Sequence, residues 1–217
     1  MRARALRLIR AVTPRVWALV ALCAASLASA QPPPVADYVK EHWWGIRRDE
    51  AVKLFDASAV PALDAMLQSE SPYCTGVVGM LVAIGDERAV DVLIAFVEKP
   101  YANPALASVY ESARASAITG LGQLARRIGS ERALSYLIEG LTPDVWGQRN
   151  VHGVAGWTQV YEGYDALLSE YAIHGLAYSG DPRAGEALRA LQRSPTPAQA
   201  RLRKGLDKTL EQWLAIY

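Results

Sequence analysis

Three times along this 217-residue chain a helix-compatible apolar stretch runs into a glycine that is followed at once by Asp or Ser: Gly85-Asp86-Glu87-Arg88-Ala89, Gly129-Ser130-Glu131-Arg132-Ala133 and Gly180-Asp181-Pro182-Arg183-Ala184. A glycine at a helix end takes the left-handed conformation that other residues reach only with strain. The Asp or Ser that follows offers a side-chain oxygen to the first free amides of a new helix, and Pro182 suits a first helical position. Each motif is therefore a helix stop fused to a helix start. A chain that repeats it is constrained to antiparallel helix pairs.

The flanking residues agree. Downstream of the turns, apolar side chains recur at helical spacing, Ala89, Val90, Leu93, Phe96 and Val97 in one copy and Ala133, Leu134, Leu137, Ile138 and Leu141 in the next. The helices before the turns carry Ile118, Leu121, Leu124 and Ile128, or Leu168, Tyr171, Ala172 and Leu176. Every such helix has one face to bury. A lone amphipathic pair cannot cover its own stripe, so stacking of pairs is expected.

The run Ala83-Ile84-Gly85-Asp86-Glu87-Arg88-Ala89-Val90 and its two echoes resemble the turn of HEAT-like repeats, including the short subtype named after phycobilisome lyases. The resemblance spans most of the chain. It implies an all-α fold, a short α-solenoid of stacked antiparallel helix pairs. HEAT-like arrays generally bind other proteins, so it also implies a protein–protein interaction or scaffold role. It implies no chemistry, and the export signal described next argues against a pigment lyase, whose reaction belongs inside the cell.

The first thirty residues contain Arg2, Arg4, Arg7, Arg10 and Arg15 and no acid, then an apolar run from Val16 to Leu27, then Ala28-Ser29-Ala30. A basic start, a short apolar centre and a small-x-small site form the pattern of a secretory signal peptide, with cleavage expected after Ala30. The run is short for a bilayer span, so no stable membrane insertion is expected after cleavage. Leu22 before Cys23 departs from a lipoprotein signal, and no adjacent Arg pair supports the twin-arginine route. The expected location is periplasmic or secreted. The formal net charge of +1 owes its sign to this segment, and the remaining 18 basic residues face 22 acids. A mildly acidic body without basic clusters speaks against nucleic acid as a partner. Cys23 would leave with the signal, and Cys74 alone cannot close an internal disulfide, so it is expected to be a buried structural thiol.

The expected organisation is a signal peptide at 1–30, a proline-rich spacer and N-terminal segment with Trp43-Trp44 at 31–48, and the helical array at 49–217. The array opens with a degenerate pair from Asp49 to Gln68 and closes with a capping helix at 196–217, whose stripe is Leu202, Leu206, Leu210, Trp213, Leu214 and Tyr217.

The copies are unevenly spaced. One interval holds a proline-bounded loop, Lys99 to Pro104, and the other a longer insertion from Thr142 to Gly163, rich in glycines and aromatics. Insertions in repeat proteins often gather on the binding face. Trp146, Arg149, His152, Trp157 and Tyr161 are therefore the candidate partner-binding residues, the aromatics as anchors and Arg149 and His152 as polar contacts. The competing reading has the insertion fold back over the helix seam with its tryptophans buried. No catalytic residue, metal ligand or cofactor is assigned. His42, His152 and His174 lie far apart, no phosphate-binding loop or nucleophile elbow is present, and His174 is expected to be packed. Two functions follow: a non-catalytic interaction module of the bacterial cell envelope with a protein partner, or a small-ligand-binding protein or unrecognised enzyme with a closed pocket under 142–163, where His152 meets an acid or Arg149.

Overall fold

The computed structural model describes residues 33–42, 45–101, 103–153 and 163–193. All of these but Pro33 belong to the unit Pro34–Tyr217. The expected signal peptide, Trp43-Trp44, Trp157, Tyr161 and the capping helix at 196–217 lie outside the described residues. Within them every regular element is helical.

In chain order the helices are α1 (Val35–Glu41), α2 (Arg48–Leu54), α3 (Val60–Gln68), α4 (Cys74–Ile84), α5 (Glu87–Glu98), α6 (Ala107–Ile128), α7 (Glu131–Glu139), α8 (Pro143–Gln148), α9 (Tyr164–Ser179) and α10 (Pro182–Arg193). Short 3-10 turns, Ala57–Ala59 and Pro104–Leu106, lead into α3 and α6. The three predicted turns join α4 to α5, α6 to α7 and α9 to α10. Gly85, Gly129 and Gly180 have φ of 68°, 68° and 66°, all left-handed. Asp86 and Asp181 accept from the amides of Arg88 and Arg183 at 2.9 and 2.8 Å, and Ser130 Oγ accepts from the Ala133 amide at 3.2 Å. Stop and start are thus each satisfied by their own side chains.

Packing follows the apolar stripes. Helix α6 lies against both α4 and α9, and α2 also packs on α4. The helices that follow the turns form contacts in the same order: α5 with α4 and α6, α7 with α6 and α9, α10 with α9 and α7, and α3 with α4 and α5. Ala89, Val90, Leu93, Phe96 and Val97 are buried, as are Ala133, Leu134, Leu137 and Leu141, and Ile138 is half-buried. Helix α4 is apolar nearly all round and sits in the core, with Val77, Val78, Met80 and Leu81 enclosed.

The α6–α9 contact is backbone to backbone. A Cβ on Gly122 would fall 1.8 Å from the carbonyl oxygen of Gly175, and one on Gly175 would lie 3.0 Å from the carbonyl oxygen of Ile118. Glycine at these positions lets the two helices approach until main chains touch.

One detail departs from the sequence-based expectation. His174 is exposed rather than packed, because the α9 face at Glu170, His174 and Tyr178 points outward while Leu168, Ala172 and Leu176 point in. The interval between Gly85 and Gly129 is lengthened chiefly by the 22-residue α6, and the short connection before it, at the expected proline-bounded loop, is built into the core. There Tyr101 stacks on Tyr110 at 4.2 Å between ring centres and donates to the Phe96 carbonyl at 3.0 Å, while Lys99 caps the end of α3 through the Gln68 carbonyl at 2.9 Å.

Candidate functional site

The described part of the insertion begins with α8, started by Pro143 after an extended Thr142. Its tryptophan points inward. Trp146 is fully enclosed, its indole N–H shared between the Gly140 carbonyl at 3.0 Å and Ser169 Oγ at 3.1 Å. Its ring meets Tyr136 edge-on and passes so close to residue 140 that a Cβ there would lie 2.6 Å from the indole. Trp146 therefore joins the insertion to α7 and α9 and has no surface to offer a partner, which corrects its assignment as an interface anchor. A tryptophan whose N–H finds two buried acceptors gains more from the core than from water.

Arg149 sits at the mouth of a cleft. Its guanidinium lies 3.9 Å above the Tyr136 ring centre, donates to Glu139 at 2.6 Å and approaches Glu98 at 3.8 Å. Flanked by carboxylates from α5 and α7 and stacked on an aromatic face, it ties the insertion across both helices. The cleft holds about 310 Å³ and is lined by Ile94, Glu98, Arg132, Ser135, Tyr136, Glu139 and Arg149. Glu139 stays largely in solvent while paired with Arg149, and with Glu98 and Arg132 in the same lining the face carries charges of both signs.

His152 does not join Arg149. Its side chain is exposed and bonded to Asn150 Oδ1 at 2.9 Å, after a left-handed Asn150 with φ of 58°. What matters inside is its backbone, whose carbonyl accepts from Arg114 at 2.9 Å. Beneath residues 142–153, Trp146, Val151 and Tyr164 are buried. The Asp165 carboxyl is raised by burial, with His152 opposing the rise and Asp144 adding to it.

Arg114 and Glu111 escaped the sequence reading. Arg114 is 1% exposed, in the middle of α6. It donates to the Tyr164 phenol at 2.6 Å, to the carbonyls of His152 and Lys99 at 2.9 and 3.0 Å, and approaches Glu111 at 3.5 Å, while Tyr164 donates to Glu111 at 2.5 Å. Burial raises the Tyr164 phenol far above its usual range, an effect Arg114 partly opposes. The signal was in the spacing. Tyr110, Arg114, Ala117 and Leu121 share one helical face, and a charge on an apolar stripe must find partners or unfold it. Here the partners are two loops and the start of α9, so the charge organises the connections on either side of α6.

Cys74 is buried as expected, its Sγ donating to the Ser71 carbonyl at 2.9 Å, and burial raises the thiol to about 11. Among the described residues no cluster of His, Cys, Asp and Glu is arranged to hold a metal.

Compared with known proteins, the chain matches no family model, no curated protein and no solved structure.

Proposed function

We propose that this protein is an exported, non-catalytic interaction module, built as a short HEAT-like α-solenoid, that docks a protein partner in the cell envelope. One observation supports the solenoid reading: residues of each turn link to the helix that follows the preceding turn, with Glu87 and Glu131 as acceptors at one turn position and Arg132 and Arg183 as donors at another. Ser130, the cap of α7, donates to Glu87 at the start of α5 at 2.8 Å, and Arg132 pairs with Asp91 of α5 at 3.0 Å. One pair further on, Arg183 at the start of α10 forks onto Glu131 at the start of α7 at 2.7 and 2.8 Å. Exposed pairs of this kind add little stability each. A link from each turn back to the one before it is what a stack of similar units produces.

The docking face is the cleft around Arg149, with Trp157 and Tyr161 of the same insertion as aromatic anchors. Its lining pairs two carboxylates, Glu98 and Glu139, with two arginines, Arg132 and Arg149, around a tyrosine, and such a surface of mixed charge suits a polar partner segment carrying an apolar residue. Affinity capture of the protein from the envelope fraction of its host tests this, comparing wild type with Trp157→Ala/Tyr161→Ala and with Glu139→Lys, each verified for unchanged thermal melting. A specific protein recovered by wild type and lost in both variants is expected. Equal recovery by all three, or recovery by none, overturns the docking reading.

A further inference from the structure

A second cleft, of about 370 Å³, is lined by Arg48, Gln123, Arg126, Arg127 and Tyr178 and contains no acidic residue. It shares no residue with the cleft at Arg149 and does not depend on the docking reading. Arg127, in the last turn of α6, lays its guanidinium over Gly85 and donates through Nη2 to the Val82 carbonyl at 2.5 Å. That contact accounts for the side chain's position, since the last carbonyls of α4 need donors. It leaves Nη1 unexplained: this nitrogen is buried and has no hydrogen-bond partner. The charge that most perturbs Arg127 is another cation. Burial, and then the proximity of Arg48, lower its affinity for its proton. Neither Arg48 nor Arg127 forms an ion pair with a described residue.

Two guanidiniums lining one cleft without an acid repel each other, which costs free energy in an unliganded protein. An anion seated between them screens that repulsion and accepts from the guanidinium edges open to the cleft. The remaining lining fits the rest of such a molecule. The Tyr178 ring is 46% exposed, presenting an apolar edge, and Gln123 provides an amide. From Gln123 a shallower groove runs on along Ser116, Thr119 and Tyr171, so the space beyond the arginines is larger than an inorganic ion needs.

We propose that this cleft is a binding site for a small organic anion, a carboxylate- or phosphate-bearing molecule, whose oxyanion lies between Arg48 and Arg127 and whose carbon skeleton lies against Tyr178. The site also differs from a general basic patch, because the body of the chain is mildly acidic and its cations here are focused on one concavity.

The test is isothermal titration calorimetry of the full chain with sodium phosphate, phenyl phosphate, succinate and citrate, each against sodium chloride at matched ionic strength. Saturable binding of at least one of them is expected, weakened about tenfold or more by Arg48→Glu, the loss expected on replacing one arm of a charge-assisted clamp by repulsion. Arg48 is exposed, so this variant keeps the core intact. Tyr178→Ala should weaken phenyl phosphate more than inorganic phosphate. Binding by phosphates alone or by carboxylates alone assigns the ligand class. Heats that match sodium chloride for all four compounds, or affinities unchanged in Arg48→Glu, overturn the proposal.

Discussion

Arg114 on α6 reaches across fifty positions of sequence to donate a 2.6 Å hydrogen bond to the phenol of Tyr164 at the start of α9. Because the same phenol donates to Glu111, the three side chains form a closed buried unit in which each member contacts the other two.

Breaking that unit from one side should be far worse than removing it. Arg114→Ala leaves Glu111 buried without its cation and frees the carbonyls of Lys99 and His152, so a loss of about 3–5 kcal/mol is expected. Tyr164→Phe should cost about 1–3 kcal/mol. The combined Glu111→Gln/Arg114→Met variant should recover much of the Arg114→Ala loss. Urea unfolding of the three variants checks the order, and an Arg114→Ala variant as stable as wild type would refute the buried-pair account.

The glycines of α6 and α4 should respond in opposite directions. Gly122→Ala drives a methyl into the Gly175 carbonyl and should destabilise by at least about 1–3 kcal/mol, the range for overpacking a tight contact. Gly79→Ala in α4 meets nothing within 4 Å and should stabilise by about 0.5–1 kcal/mol through helix propensity. Thermal melts of the two variants give the comparison.

Trp146 and Trp157 should separate stability from docking. Trp146→Ala removes a fully buried ring with a satisfied N–H and should cost about 3–5 kcal/mol. Trp157→Ala, under the docking proposal, should reduce partner capture without a comparable fall in melting temperature. Capture unaffected by Trp157→Ala would count against the insertion as the docking segment.

At alkaline pH Cys74 should weaken the fold. Its thiol, raised by burial from 9.0 to about 11, favours the protonated form in the native state. The resulting stabilisation is fully present below pH 9 and is lost as pH rises through 11, while Tyr101 and Tyr164, raised by burial from 10.0, add a further loss that begins at pH 10 and is common to wild type and variant. Stability of wild type should therefore fall more steeply than that of Cys74→Ala between pH 9 and 11. Parallel curves would show that the thiol is not desolvated.

The export proposal predicts a mature N-terminus at Gln31. Intact mass and N-terminal sequencing of protein recovered from the extracytoplasmic fraction check it, and a retained Met1 in that fraction would replace the signal peptide by an anchor.

Much of the helical framework was legible because it is written in local interactions. Gly85, Gly129 and Gly180 with Asp86, Ser130 and Asp181 satisfy their own backbone within a few residues, and the apolar stripes at Ala89 to Val97 and Ala133 to Leu141 announce which faces turn inward. The candidate site was read less well. Arg149 was noticed, but its role as a tie between α5 and α7 depends on Glu98, Glu139 and Tyr136, which are distant in sequence. Trp146 stood between an anchor and a cover for the helix seam, because composition cannot say which side of an insertion faces the core, and its burial matches the cover.

By itself, then, the sequence determined where helices stop and restart and which of their faces are apolar, since capping and periodicity act over one or two turns. Only the tertiary structure decided that Trp146 is enclosed and His174 exposed, that Gly122 and Gly175 touch, that Arg114 finds hydrogen-bond partners up to fifty positions away, and that Arg48 and Arg127 share a cleft. Desolvation and charge–charge energies depend on neighbours in space, and those neighbours exist only once the helices have packed.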